Sequence, residues 1–167
     1  MRAAAVTDAA GIAGVYAPYV TDSVASFEDE APGADEVAAR MHGGPWFVAC
    51  EDDEVVGFAY ASPHRSRAAY RWAVDVSVYV AAGLAGRGVG RALYGVLLPD
   101  LRAAGLVTAH AGITLPNEAS VGLHESFGFV EVAHYPHVGF KHGAWHDVGW
   151  WQLRLVDELP VAPAEIG

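Results

Sequence analysis

The chain has 167 residues, 53% of them hydrophobic and 18% charged, enough to bury a substantial core without disulfide or metal staples. Twenty acidic against ten basic residues leave a formal charge of -10, which argues against a general binder of nucleic acid or anionic membrane. A single cysteine, Cys50, excludes an internal disulfide and any cysteine-rich zinc site.

The N-terminal MRAAAVTDAAGIAG lacks the long apolar region of a signal peptide, and no apolar run reaches the roughly 18 to 20 residues of a membrane span. The expectation is a soluble, cytoplasmic, single-domain protein over residues 1–159, with a loosely held tail at 160–167. Arg2 to Val6 reads as a short strand. Thr7-Asp8 then offers an N-cap to a helix carrying Ile12, Val15, Tyr16 and Tyr19 at helical spacing, which Pro18 should bend or end. Asp35 to Met41 fits a short helix. Trp46 to Glu51 and Val55 to Ser62 flank the acidic turn Asp52-Asp53-Glu54 as a hairpin.

Trp72 to Val80 is a longer strand, with Trp72, Val74, Val76, Val78 and Val80 on one face and Ala73, Asp75, Ser77 and Tyr79 on the other. Beyond the glycine-rich stretch, Val89, Leu93, Leu97 and Leu101 mark a helix in steps of four. Leu106 to Thr114 is again a strand, and Asn117 to Phe127 a helix closed by Gly128. Phe129 to Tyr135 and Asp147 to Leu155 close the chain as strands joined by a loop rich in His and Gly. Strands alternating with a few helices indicate a mixed α/β layer fold.

The stretch VSVYVAAGLAGRGVGRAL runs from a strand through Gly83, Gly86, Gly88 and Gly90 into a helix. Glycines admit a ligand close to the backbone, and a helix N-terminus offers unpaired N–H groups with partial positive charge, so the segment suits a pyrophosphate. Arg87 and Arg91 add charge. An ordinary strand–turn–helix connection has the same glycines. No βαβ unit with a ribose-binding acid follows, and no Gly-Lys-Ser/Thr occurs, which counts against dinucleotide and Walker A loops.

These residues resemble the acetyl-CoA-binding motif of the GCN5-related N-acetyltransferases, and LPNEASVGLHESFGF resembles that family's second motif. Within it, Trp46 to Ala49, GFAYASPHRSRAAYRWAVDVSVYV and GFKHGAWHDVGWWQL look like the phosphinothricin (L-amino acid) N-acetyltransferases. The resemblance spans Trp46 to Leu155. It implies a mixed central sheet whose two middle strands splay around acetyl-CoA, a homodimer, and acetyl transfer to the α-amino group of a small amino acid or analogue. No metal is implied. Val78, Tyr79, Val80, Gly86, Arg87, Gly88, Val89, Gly90, Arg91, Asn117 and Ser120 are the expected cofactor residues. The family pattern has Gln or Arg where this chain has Ala85. Pro99 falls inside the following helix.

Four sets of side chains remain to be weighed for chemistry. Asp75 is a carboxylate within a valine-rich strand, either solvated or at a wet cleft. It stands where the subfamily has a Glu proposed as base, and being one methylene shorter it would act through water. His124 is a packing histidine or, by resemblance, a catalytic one able to assist at the amine or the thiolate. Arg65, Arg67 and Arg71 form a solvated loop or, with Tyr70, an anion-binding wall; Arg65 and Arg67 are favoured for the substrate carboxylate or phosphinate. Phe27 matches a substrate-loop Phe of the subfamily, with Ser26 in place of its flanking Asn.

His142, His146 and Asp147 do not form a recognised metal-ligand pattern. The competing readings are a protein N-terminal or polyamine acetyltransferase, and a non-catalytic acetyl-CoA sensor.

Overall fold

The structure is a computed structural model and describes residues 1–161; the greater part of the tail expected at 160–167 lies outside the described residues. Seven strands form one sheet: β1 (Arg2–Ala3), β2 (Trp46–Glu51), β3 (Glu54–Pro63), β4 (Ala73–Val80), β5 (Thr108–Leu115), β6 (Val130–Lys141) and β7 (Ala144–Arg154). Their order is β1-β2-β3-β4-β5-β7-β6. Every neighbouring pair is antiparallel except β4–β5, which is parallel. Four helices cover it: α1 (Ala9–Thr21), α2 (Ala34–Arg40), α3 (Val89–Ala103) and α4 (Glu118–Glu125).

Each face carries its own apolar core. On one, Leu93, Leu97 and Leu101 of α3 are wholly buried against Val74, Val76, Ala109, Ile113 and Phe129. The i, i+4 leucine spacing directs these side chains to one side of the helix, and each contributes roughly 1.5–3 kcal/mol by leaving water. On the other, Ile12, Val15, Tyr16 and Val20 of α1 join Val37 of α2 on Val48 and Phe58.

Local chemistry moves several element ends. The first strand stops at Ala3 and a 3₁₀ turn spans Val6–Asp8. Asp8 takes the N-cap position of α1 without a side-chain capping bond: its carboxylate instead accepts the Ala5 N–H at 2.7 Å and the Arg2 guanidinium at 2.6 and 2.7 Å. That ion pair holds the Asp8 carboxyl below the usual carboxylate range. Pro18 neither ends nor blocks α1, which continues to Thr21, and Pro99 likewise sits within α3.

The largest departure is at the end of the chain. The expected loop of His and Gly residues is instead strand, since β6 and β7 form one long hairpin closed by His142-Gly143, both at positive φ. An irregular register between Tyr135 and Gly139 absorbs Pro136 and His137. Trp151 is buried in the core, whereas Trp145 stands exposed beside Phe140 at 5.3 Å.

Candidate active site

The register of β4 places its functional groups. His64 donates its N–H to the Ala73 carbonyl at 3.1 Å, and the Ala81 N–H reaches the Val56 carbonyl at 2.8 Å. Antiparallel alternation therefore turns the main-chain groups of the odd-numbered residues 73–81 toward β3, and those of Val78 and Val80 the other way. On that other side β4 pairs with β5 only through Ala73, Val74 and Asp75, the last register being Asp75 with His110. Beyond it the strands part.

The parting opens a cleft of about 600 Å³ walled by Val76–Val80 of β4, Ala111–Thr114 of β5, and the facing ends of α3 and α4. At one end lies the glycine loop. Gly86 and Gly88 have φ of +77° and +84°, a conformation that glycine adopts without strain. Gly88 caps α3, whose first backbone hydrogen bond runs from the Ala92 N–H to the Gly88 carbonyl at 2.9 Å. The N–H groups of Val89, Gly90 and Arg91 precede that bond and face outward. A Cβ at Gly90 would come within 3.2 Å of Leu123, so glycine there lets the two helices close on the cleft.

Val80 is partly spoken for: the Tyr19 hydroxyl donates to its carbonyl at 2.7 Å and accepts its N–H at 3.3 Å. The main chain of Val78 stays open to the cleft. Asn117 caps α4, its Oδ1 accepting the Ser120 N–H at 3.1 Å. Gly86, Gly88, Val89, Gly90, Arg91, Asn117 and Ser120 line the cleft together with Ala85, and Arg87 flanks it.

Where β4 and β5 begin to part, these two strands and the connection after β3 bring titratable groups together. Asp75 Oδ1 is 2.6 Å from His64 Nδ1, and the His64 ring stacks on His110 at 4.4 Å and 17°. Burial pushes the Asp75 carboxyl up, opposed chiefly by its hydrogen bond with His64. Burial, with the His64 and Arg65 charges, lowers His110 to about 4. Trp150 meets the His64 ring edge-on at 6.0 Å and carries Arg65 above it at 6.0 Å; its indole N–H is buried without an acceptor among the described residues.

The model of the GNAT acetyltransferase family matches residues 13–129. The chain belongs to that family. It is 36% identical to the phosphinothricin N-acetyltransferase of Streptomyces viridochromogenes over 99% of this chain and 92% of that one. It is 35% identical to the L-methionine sulfoximine/L-methionine sulfone acetyltransferase of Salmonella typhimurium, over 93% and 94% of the two chains. The phosphinothricin acetyltransferase of Sinorhizobium meliloti, solved in complex with acetyl-CoA, superposes with a TM-score of 0.92 at 34% identity, covering 98% of this chain and 92% of that one.

The GNAT fold accounts for the cleft, and the residues present fit acetyl-CoA as co-substrate. The N-terminus of α3 and the bare glycines suit a pyrophosphate, and the open Val78 main chain suits an amide-bearing arm.

The sequence-expected chemical residues are distributed unevenly. His124 lines the cleft yet is 3% exposed. Its Nδ1 donates to the Ser120 carbonyl at 2.7 Å, so Nε2 accepts the Tyr94 hydroxyl at 2.8 Å. Burial lowers its pKa, opposed by the Ser120 carbonyl. Both nitrogens are thus engaged. The Tyr79 ring is packed among Tyr16, Tyr19 and Phe58 rather than free in the cleft. Arg65, Arg67 and Tyr70 are exposed on the β3–β4 connection, where Tyr70 meets His64 edge-on at 6.2 Å.

Phe27 lies elsewhere, against Gly139 and the His146 ring of the last hairpin. Asp147 accepts from His134 and from the His137 N–H, and among the described residues no group of three metal-binding side chains converges. His64 and His110 were not singled out from the sequence, although His110 shares a strand face with Thr108 in the expected strand.

Proposed function

We propose that this acetyltransferase acetylates the α-amino group of a small amino acid or analogue of the phosphinothricin, methionine sulfoximine or methionine sulfone type, as a cytoplasmic homodimer. The observation that carries the reading is the parting of β4 and β5, which opens a cleft with a phosphate-suited glycine loop and begins at a carboxylate–imidazole cluster. The relatives' named substrates agree with it.

Acetyl-CoA bound there supplies an activated acetyl group as a thioester. The protein's part is to position the amine, remove its proton, and polarise the thioester carbonyl through a β4 main-chain N–H, for which Val78 is suited. The amine nitrogen forms the new C–N bond, the C–S bond breaks, and the sulfur leaves with the nitrogen's second proton. His124, held by Tyr94 and Ser120, would give the departing sulfur a proton only by surrendering one of those bonds. Arg65, Arg67 and Tyr70 form the carboxylate-reading wall, and Phe27 shapes the opposite loop. Exposed Val130, Val132, Tyr135, Val138, Phe140 and Trp145 on the last hairpin favour a subunit contact.

The test is an acetylation screen of amino acids, their analogues, polyamines and peptides, read by release of free thiol. An amino acid should be preferred over its decarboxylated counterpart, and Arg67→Ala should raise its KM by about tenfold or more, from lost charge-assisted bonds of roughly 1.5–3 kcal/mol. Equal use of the amine and the amino acid would replace this reading with a general-amine enzyme. Binding of acetyl-CoA without turnover of any amine would replace it with a sensor.

A further inference from the structure

We propose that His64, rather than a bound water, is the base that takes the substrate's ammonium proton, with Asp75 orienting its ring; the proposal rests on the acetyl-transfer reading above. Asp75 is one methylene short of the glutamate to which the subfamily's base role is attributed. The structure fills that reach with an imidazole. Its Nδ1 lies 2.6 Å from Asp75 Oδ1. An ionised carboxylate only accepts, so Nδ1 carries the hydrogen and the Nε2 lone pair is left available. No hydrogen bond to Nε2 occurs among the described residues, and the side chain keeps 15% exposure. This is the arrangement by which a carboxylate fixes the tautomer of a catalytic histidine and stabilises its charged form.

The ring is held by its neighbours. Its own main chain is pinned by the N–H bond to the Ala73 carbonyl. His110 stacks on one face, and the Trp150 and Tyr70 rings meet it edge-on. The charged or titratable groups facing it are Asp75 from β4, His110 from β5, and Arg65 and Tyr70 from its own connection. Arg65 directs its guanidinium to the His64 carbonyl at 2.7 Å. His110, lowered to about 4, stays neutral at physiological pH and adds no repelling charge to the stack. Asp75 and His110 are also the last paired residues before β4 and β5 separate, so the dyad sits where the two strands part, at the end of β4 remote from the glycine loop.

The step balances without a further reactant. One ammonium N–H bond breaks, its electron pair stays on nitrogen as the nucleophile, and the proton goes to Nε2. The imidazolium sits beside Asp75 and later returns the proton to solvent. The sum is ammonium plus thioester giving amide, thiol and one proton.

The experiment compares wild type, His64→Gln, His64→Ala and Asp75→Asn with the best amine of the screen, and measures acetyl-CoA affinity by calorimetry. His64→Gln should lower kcat about a hundredfold or more, the usual cost of losing a general base, with acetyl-CoA affinity unchanged. The fall of kcat/KM toward acid pH should vanish in that variant, and added imidazole should restore part of the His64→Ala rate. His64→Gln turnover within about threefold of wild type, beside a crippled Asp75→Asn, returns the base to Asp75 and overturns the proposal. A slow His64 variant with an unaltered pH profile and no imidazole rescue also overturns it, making His64 a packing residue. Wild-type turnover of any amine supports the acetyl-transfer reading whatever these variants do, and a wild type inert toward every amine removes both.

Discussion

Lys141 is the chain's one lysine, and it is spent inside the protein. Its Nζ donates to the carbonyls of Val20, Ser26 and Glu28 at 2.6, 2.7 and 3.0 Å, at 9% exposure. Those carbonyls belong to the end of α1 and to the segment leading to α2, so one ammonium on β6 fastens the loop that carries Phe27. Tyr16 ties the same loop by its hydroxyl to Ser26 and Glu28, and Arg40 pairs with both Glu28 oxygens. Lys141→Met keeps most of the side-chain volume and removes the three donors. Bonds to charged donors contribute roughly 1.5–3 kcal/mol each, but relief of the ammonium's desolvation cancels much of the sum, and the loop's carbonyls can regain water.

A net loss of about 2–4 kcal/mol remains, which in a chain of this length lowers Tm by roughly 5–15 °C. Calorimetric melting gives the global figure. Hydrogen exchange over residues 22–33 gives the local one, and protection there should fall before that of β4 or α3 changes. The KM for the amine should rise more than that for acetyl-CoA, because only Ala25 of that loop is among the residues lining the cleft. A Lys141→Met protein melting within about 1 °C of wild type, with loop protection intact, would refute the reasoning, since three charged bonds would then contribute no net stability.

The remaining expectations concern the cleft and the carboxylates. Gly88→Val should weaken acetyl-CoA binding by about tenfold or more, while Gly105→Val should leave affinity unchanged; both glycines are at positive φ with open space around them, so both variants carry a similar strain of about 1–2 kcal/mol. Equal affinity losses in the two, measured by calorimetry, would mean that strain rather than phosphate access explains the first. Asp75→Asn should melt higher than wild type near pH 7 yet turn over slowly. The folded carboxyl is raised above its unfolded value, so its ionisation costs stability at neutral pH, and the variant's advantage should shrink as acid protonates the wild-type group in both states. Asp8 and Glu28 have the opposite sign: both carboxyls are held low by arginine partners, so their stabilisation is present at neutral pH and should be lost as pH falls through their folded values, steepening acid unfolding in a Tm–pH series.

What the sequence determined by itself is whatever depends on neighbours along the chain. The leucines of α3 recur at helical spacing, the valines of β4 alternate, and the glycines before α3 mark a turn that needs left-handed backbone, so the helix, the strand and the phosphate-suited loop were all legible from residue order. The start of α4 at Asn117 was legible for the same reason. The last hairpin was misread because its His- and Gly-rich middle looks like a loop until β6 and β7 pair along their length and satisfy each other's main chain. Only the tertiary structure decided the His64 cluster and the loop clamp. His64 just past β3, Asp75 of β4 and His110 of β5 meet through strand register, and a shift of one residue in either pairing would turn a partner to the opposite face. Lys141 reaches carbonyls more than a hundred residues earlier in the chain. No local pattern encodes such a contact, because backbone carbonyls are present at every residue and only the tertiary fold brings these three to one point.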